Sequence, residues 1–310
     1  MSATLPQVVP GADLPDAVTI YEVGPRDGLQ NESTVVPTAV KADFVRRLVA
    51  AGLGTVETTS FVSPRWVPQL ADAEDLLTEL GDEGLGHRRP VLVPNERGLD
   101  RAMEHGVGAI AIFGSATETF AQRNLGRSLA ESVQMFAPVV RRALDSDLWV
   151  RAYVSMCFGD PWEGPVPVTQ VADACESLME LGAHQLSLGD TIGTGTTGHV
   201  EALLLGSSVA ASAPTSSACT STTPTGRRWQ HPHRPAGRRA GRRRLHRRAG
   251  GCPYARSATG NLATEDLVWA LDGLGIRTGS TSARSSRRAC GWPSARSSGA
   301  LAGRQGALRG

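Results

Sequence analysis

Short apolar runs alternate with longer amphipathic stretches along the first two thirds of the chain. The runs are nearly uninterrupted, as in strands buried on both faces of a parallel sheet, and the stretches between them repeat apolar residues at helical spacing. Predicted strands cover 17–20, 55–59, 90–93, 108–113, 148–154 and 185–188, and predicted helices cover 38–51, 66–80, 99–104, 129–144 and 168–181. Six such units by residue 203, repeating in one sense, favour an α/β fold of the (β/α)8 TIM-barrel type over a doubly wound sheet.

Polar side chains recur at the ends of three of these predicted strands. The first strand leads into a glycine-bracketed loop with Arg26 and Asp27, the second contains Glu57, and the sixth ends at Asp190. Because the carboxyl ends of barrel strands meet at one mouth, we expect these groups to lie close together. Carboxylates beside a guanidinium can bind a divalent metal or move a proton. The alternatives are an exposed turn with a surface ion pair at Arg26 and Asp27, and a helix N-cap at Asp190.

The alternation ends near residue 205. Over about 205–250 neither a helical nor a strand period survives, no acidic residue lies between Glu201 and Glu265, and arginine is dense over 227–248. The pattern returns afterwards and is lost again beyond residue 279. The sequence therefore predicts a barrel domain over 1–279, with its seventh and eighth strands disrupted or disordered at about 205–250, and an irregular basic tail over 280–310.

Composition and charge narrow the functional classes. The length of 310 residues with a net charge of +2 suits one large domain. The five cysteines are odd in number and lack Cys-x-x-Cys spacing, which predicts reduced thiols in a cytoplasm. We expect no secretion signal and no membrane insertion, since no apolar run reaches ~18 residues. Nucleic-acid binding by the arginine run is not favoured, because Trp229 is its only aromatic residue and no binding fold is recognisable.

Several strings resemble one enzyme family. The string over 21–32, Tyr-Glu-Val-Gly-Pro-Arg-Asp-Gly-Leu-Gln-Asn-Glu, resembles the signature of the hydroxymethylglutaryl-CoA lyases, which are metal-dependent barrels with Claisen chemistry. The string over 57–69 is more diagnostic, because related synthases share the Arg-Asp-Gly loop but not this second string. One departure is Asp160, where these lyases usually have cysteine. Further similar stretches are 150–155, 187–193, 251–255, 257–267 and 271–275.

The resemblance implies a pyruvate-carboxyltransferase-like catalytic domain that cleaves 3-hydroxy-3-methylglutaryl-CoA to acetoacetate and acetyl-CoA in leucine degradation. It implies Mg²⁺ or Mn²⁺ bound by Asp27, Asn261 and two histidines on the seventh strand. Arg26 would stabilise the enolate oxygen, and Cys252 would reprotonate the enolate carbon. An inert buried thiol is the alternative for Cys252. The implied supporting carboxylates are Glu57, Asp190 and Glu265.

The two implied histidines are absent from their place in this sequence. In shifted frames, permissible codons for 218–230, 242–251 and 279–293 spell the family's seventh-strand motif, the lead into Gly-Cys-Pro-Tyr-Ala, and an amphipathic helix. Our hypothesis is therefore that the sequence contains frameshifts, either sequencing errors or real lesions. An intact mass of the natural protein that matches the printed sequence would rule out sequencing error. His231 and His233 lie nearby, but the surrounding arginines would repel a cation.

Other interpretations stay open beside the lyase. One is a related acyl-CoA Claisen-type synthase of the isopropylmalate or citramalate kind, although such enzymes usually carry long C-terminal regulatory domains. Another is a non-catalytic frameshifted remnant, whose barrel would be open where its last two strands are missing. A CoA thioester is the expected substrate. The oligomeric state is left open, with a homodimer as one alternative.

Overall fold

The computed structural model describes residues 7–10, 14–32, 34–84, 86–206, 218–221 and 261–280. Within these ranges strands and helices alternate. In chain order the elements are β1 (Tyr21–Glu22), α1 (Thr38–Ala50), β2 (Thr55–Val56), β3 (Thr59–Ser60), α2 (Ala73–Leu80), β4 (Val91–Leu92), α3 (Glu96–Glu104), β5 (Ala109–Ser115), α4 (Glu118–Leu125), α5 (Leu129–Asp145), β6 (Trp149–Ser155), α6 (Val168–Glu180), β7 (Gln185–Asp190), α7 (Thr197–Gly206), β8 (Ala218–Ser221) and α8 (Thr264–Gly273).

The strands pair in parallel and in chain order. β1 pairs with β2, and β3 to β8 follow one another in a single sheet. Only Glu57 and Thr58 separate β2 from β3, so these two strands are halves of one barrel strand. On the other side of β1, Ala17 pairs in parallel with Arg277. This unidirectional order is that of a (β/α)8 barrel, and it confirms the predicted fold class.

One prediction about element limits is wrong. The helix predicted over 66–80 begins only at Ala73, because a 3₁₀ turn at Pro68–Leu70 precedes it. There the side chain of Gln69 accepts from the Val36 amide at 2.8 Å and donates to the Thr34 carbonyl at 2.8 Å. Within the stretch where the sequence pattern is lost, Ala218–Ser221 pairs in parallel with β7 as the seventh barrel strand.

The hydrophobic core lies between the strands and the helices outside them. Its larger part includes Ile110, Ile112 and Val150 from the sheet, with Val139 from α5 packed over them. A smaller cluster joins Ile20, directly before β1, and residues of α1, β2 and α2 to Val268 of α8. Burial of these side chains attaches α8 to the first strand, although more than two hundred residues separate them along the chain. The helices in the described part of the chain lack the combined length and apolar character that a membrane crossing needs.

Lys41, the only lysine of the chain, is buried in α1 at the mouth side of the fold. Its Nζ donates to Asp72 Oδ1 at 2.6 Å and also to the Gln69 carbonyl. The Thr38 hydroxyl donates to the other Asp72 oxygen at 2.7 Å. These bonds tie the loop after β3 to α1, so the lysine is a structural cation here and not a surface charge.

Candidate active site

A wide turn after β1 presents the two residues on which the sequence analysis centred. Residues Gly24–Gly28 form a single π-helical turn, in which the amides of Arg26, Asp27 and Gly28 all donate to the Val23 carbonyl at 3.2, 2.7 and 3.1 Å. Such turns are rare and often mark functional sites. The turn places Arg26 and Asp27 together at the carboxyl end of β1, as predicted.

The guanidinium of Arg26 is held by a buried carboxylate. Its Nε donates to Glu57 Oε1 at 2.5 Å, and Glu57 is 0% exposed. The hydroxyl of Tyr153 on β6 donates to the other Glu57 oxygen, and the tyrosine ring lies 5.4 Å below the guanidinium carbon. Burial alone would lower the pKa of Arg26, but the charges of Glu57 and Asp27 more than offset it and raise that pKa above its usual value. The alternative of an exposed turn with a surface ion pair is therefore excluded.

Tyr153 stays a hydrogen-bond donor in this arrangement. Burial, followed by the charge of Glu57, raises the pKa of Tyr153 above its usual value. A protonated hydroxyl can donate to Glu57, so the carboxylate accepts from a cation on one oxygen and from a phenol on the other. The two hydrogen bonds hold the Glu57 carboxylate in place, and the carboxylate in turn fixes the plane of the Arg26 guanidinium.

The carboxylate of Asp27 is shared by three donors. Arg26 Nη1 and Gln30 Nε2 donate to Oδ1 at 2.8 and 2.7 Å, and Asn261 Nδ2 donates to Oδ2 at 2.6 Å. The Asp27 side chain is 20% exposed, in contrast to Glu57. Asp27 and Asn261, the two metal ligands implied within the described residues, are therefore in direct contact.

A second buried cation lies beside this group on β6. The guanidinium carbon of Arg151 lies 3.9 Å from the centre of the Tyr21 ring and 5.3 Å from that of Tyr153. One of its nitrogens donates to the Gln185 side chain, and its Nε has no hydrogen-bond acceptor among the described residues. Arg151 thus adds positive charge next to the phenol that binds Glu57.

Asp190 supports a loop and shows no contact with the Arg26 group among the described hydrogen bonds. Its two carboxylate oxygens accept from the amides of Thr194 and Gly195 at 2.8 and 3.1 Å. Burial raises the pKa of Asp190 above its usual value, although these amide bonds oppose the shift. The geometry is closer to the capping alternative, applied to a loop in place of a helix end.

Glu265 lies in the first turn of α8, beside Thr264. The Thr264 hydroxyl donates to Glu22 Oε2 at 2.5 Å, and Glu22 Oε1 accepts from the Gly24 amide at 2.6 Å. Glu265 therefore lies near β1, at the mouth of the barrel. Cys252, His231 and His233 lie outside the described residues.

The departure at Asp160 has a structural explanation. Its carboxylate accepts from the Thr117 hydroxyl at 2.6 Å and from the amides of Trp162 and Glu163 at 2.7 and 3.0 Å. Asp160 is 3% exposed. The carboxylate therefore joins the loop after β6 to the start of α4, a task for which the three donors need a strong acceptor.

Replacing Asp160 with alanine should lower the free energy of unfolding by about 1–3 kcal/mol, because the buried Thr117 hydroxyl and two amides lose their acceptor. Urea unfolding followed by circular dichroism measures this loss. The matched control is Asp173→Ala on the exposed face of α6, which should stay within about 0.5 kcal/mol of the natural protein. Equal effects of the two substitutions would contradict the assigned role.

Tyr153, Gln30 and Glu22 were not singled out from the sequence as site residues. A signal for Tyr153 is present in the sequence, since Arg151 and Tyr153 are two residues apart on a buried strand and so share one face. An arginine and a tyrosine on the same face of a buried strand indicate a polar barrel interior. Gln30 follows Asp27 at a distance of three residues in a turn, for which the sequence offers no comparable signal.

Comparison with known proteins identifies the family. Residues 17–222 match the family model described as HMGL-like. The chain belongs to the HMGL-like family. It is 41% identical over 278 residues to a mitochondrial hydroxymethylglutaryl-CoA lyase of Pongo abelii, with 86% of this chain and 82% of the relative covered. It is 39% identical to a cytoplasmic 3-hydroxy-3-methylglutaryl-CoA lyase of Rattus norvegicus, with 86% and 77% covered.

Solved structures of this family agree with the fold. An HMG-CoA lyase from Pseudomonas aeruginosa is 32% identical with a TM-score of 0.72, covering 96% of this chain and 99% of that one. An HMG-CoA lyase from Acinetobacter baumannii, in complex with coenzyme A and 3-methylmalate, is 26% identical with a TM-score of 0.75, covering 88% and 89%.

Proposed function

We propose that this member of the HMGL-like family is a hydroxymethylglutaryl-CoA lyase, a carbon–carbon lyase that produces acetoacetate and acetyl-CoA in leucine degradation. The observation that carries the proposal is the guanidinium of Arg26, fixed between buried Glu57 and the more accessible Asp27. The names of the relatives support the lyase reaction, and the coenzyme A complex of one structural neighbour supports a CoA thioester substrate.

A divalent cation, Mg²⁺ or Mn²⁺, is part of the proposal. Asp27 and Asn261 fit such an ion, because a carboxylate and an amide in contact can supply two oxygens, and Mg²⁺ completes its coordination with water and substrate oxygens. In the described part of the chain no group of three or more His, Cys, Asp or Glu side chains could hold a metal, and β8 contains no histidine. A cation bound there would polarise the tertiary hydroxyl of the substrate and lower its pKa.

Arg26 is the group to which we assign charge stabilisation. In the proposed reaction the tertiary hydroxyl gives its proton to a base at the mouth, and the adjacent carbon–carbon bond breaks. The electron pair passes into the thioester as an enolate. Because Glu57 and Asp27 fix two N–H groups of Arg26, the guanidinium is already oriented and stays protonated as negative charge develops on the enolate oxygen.

The remaining assignments follow from the resemblance. We propose that Cys252 supplies the proton that the enolate carbon takes up, and that Glu265 supports the site beside Glu22. Asp190 acts in this proposal through the loop that it orders. We propose a catalytic domain over 1–279 and a basic tail over 280–310. A cytoplasmic location is part of the proposal; it is supported by Cys157 and Cys175, buried thiols that form no disulfide within the described part of the chain.

Incubation of the purified natural protein with 3-hydroxy-3-methylglutaryl-CoA and Mn²⁺ should release equal amounts of acetoacetate and acetyl-CoA. Chelation with EDTA should lower the rate at least ~100-fold, because the hydroxyl then has no bound cation to lower its pKa, and added Mn²⁺ should restore it. Liquid chromatography of both products measures the effect. Binding of the thioester without release of acetoacetate would contradict the proposal and favour the non-catalytic remnant.

A further inference from the structure

Arg151 is a buried cation whose presence is not explained by the stability of the fold. It is 1% exposed, and no carboxylate in the described part of the chain forms an ion pair with it. Its hydrogen-bond partner is the neutral side chain of Gln185. A charge buried in this way costs free energy, and an apolar side chain of similar volume often serves a fold as well or better.

The Tyr153 ring lies against two guanidinium groups. The guanidinium carbon of Arg151 is 5.3 Å from the ring centre, and that of Arg26 is 5.4 Å from it. Arg151 also lies over the Tyr21 ring of β1, 3.9 Å from its centre. Rings and cations therefore alternate in the barrel interior, in the order Tyr21, Arg151, Tyr153, Arg26. The row ends at the guanidinium to which charge stabilisation is assigned.

The charge of Arg151 also acts on the hydroxyl of Tyr153. Burial raises the pKa of Tyr153 most and the charge of Glu57 raises it further, whereas the charges of Arg26 and Arg151 oppose the rise. A cation beside a phenol draws electron density from its O–H group and strengthens the hydrogen bond that the group donates. That hydrogen bond goes to Glu57, which in turn accepts from Arg26.

We propose that Arg151 is a positioning residue of the lyase reaction, which acts by holding the Tyr153 ring in place against Arg26. The Tyr153 hydroxyl then keeps the Glu57 carboxylate fixed, and with it the plane of the guanidinium. The proposal rests on the proposed function in taking Arg26 as the group that stabilises the enolate oxygen. Arg151 shows no hydrogen bond to Glu57 among the described residues, so its effect passes through Tyr153.

Steady-state cleavage of 3-hydroxy-3-methylglutaryl-CoA at saturating Mn²⁺ is the first test. Arg151→Met should lower kcat about fivefold and change KM by less than about twofold, while the midpoint of urea unfolding stays the same or rises. Arg151→Lys should recover part of kcat, because an ammonium keeps a positive charge beside the phenol. The matched control is Arg101→Met on α3, which removes a guanidinium 5.1 Å over the Phe61 ring and should leave kcat unaltered.

A double substitution tests whether Arg151 acts through Tyr153. Once the hydroxyl is gone, loss of Arg151 should add nothing, so Arg151→Met combined with Tyr153→Phe should have the kcat of Tyr153→Phe alone. Losses that multiply would overturn the proposal, as would a natural kcat in Arg151→Met. A lowered kcat that accompanies a lowered unfolding midpoint, without recovery in Arg151→Lys, would assign the arginine to the fold only.

A measurement without substrate separates this inference from the proposed function. The Nε–H of Arg26 donates to buried Glu57, so NMR of the ¹⁵N-arginine-labelled chain should show it as a slowly exchanging signal that is missing in Arg26→Lys. In Arg151→Met it should exchange about tenfold faster, while the Nε–H of Arg101, which donates to Glu74, keeps its rate. Equal rates for Arg26 in the natural chain and Arg151→Met would overturn the inference. Faster exchange in a protein that does not cleave the thioester would leave the positioning of Arg26 standing and remove the lyase assignment.

Discussion

Replacing Arg26 with methionine is expected to lower the free energy of unfolding by about 3–5 kcal/mol. The substitution leaves the Glu57 carboxylate, which is 0% exposed, without its cation, and the Tyr153 hydroxyl is then its one side-chain donor among the described residues. A buried charge that loses its partner keeps its desolvation cost but not the compensating attraction. Urea unfolding of the purified variants measures the loss.

A double substitution gives the control for this prediction. Arg26→Met combined with Glu57→Gln removes both charges of the pair, and the new amide oxygen can still accept from Tyr153, so most of the lost stability should return. Arg47→Met should cost less than about 0.5 kcal/mol, because Arg47 pairs with Asp43 on the exposed face of α1. If the double variant is as unstable as the sum of its parts, the pair is not the source of the loss.

The part of the site that could be predicted follows from strand order. Arg26 and Asp27 stand directly after a strand, and Glu57 lies on the next one. Since parallel strands in one sense bring their carboxyl ends to one mouth, proximity follows from the sequence alone. The sequence does not show which hydrogen-bond donors each carboxylate accepts from. Glu57 is buried with Arg26, whereas Asp27 contacts Asn261 from the far end of the chain.

The same limit explains why one helix start was predicted wrongly and why the strand at 218–221 was not predicted. Ala218–Ser221 has neither the β-branched run nor the alternation of a strand, and it forms one because β7 offers it a row of backbone partners. The helix start near Pro68 fails because the Gln69 side chain bonds to the loop after β1. In both places tertiary contacts override local preference. The frameshift hypothesis concerns stretches that lie mostly outside the described residues and stays a hypothesis.

Replacing Arg26 with lysine is expected to lower kcat by about 10²–10³-fold while KM changes little. An ammonium keeps the charge and spares Glu57 from isolation, so the fold should survive better than in Arg26→Met. A single point charge, however, cannot bond Glu57 and Asp27 from separate N–H groups and still direct others at the enolate oxygen. Steady-state cleavage of 3-hydroxy-3-methylglutaryl-CoA at saturating Mn²⁺ separates the two constants.

Two further variants test whether the loss of kcat in Arg26→Lys comes from the lost orientation of the guanidinium. Tyr153→Phe keeps every charge but removes one of the two bonds that hold Glu57, so kcat should fall by about tenfold, between the natural protein and Arg26→Lys. Arg47→Lys makes the same change on the surface and should leave both constants unaltered. A lysine variant with natural kcat would show that charge alone suffices, and the fixed plane between Glu57 and Asp27 would then have no part in the chemistry.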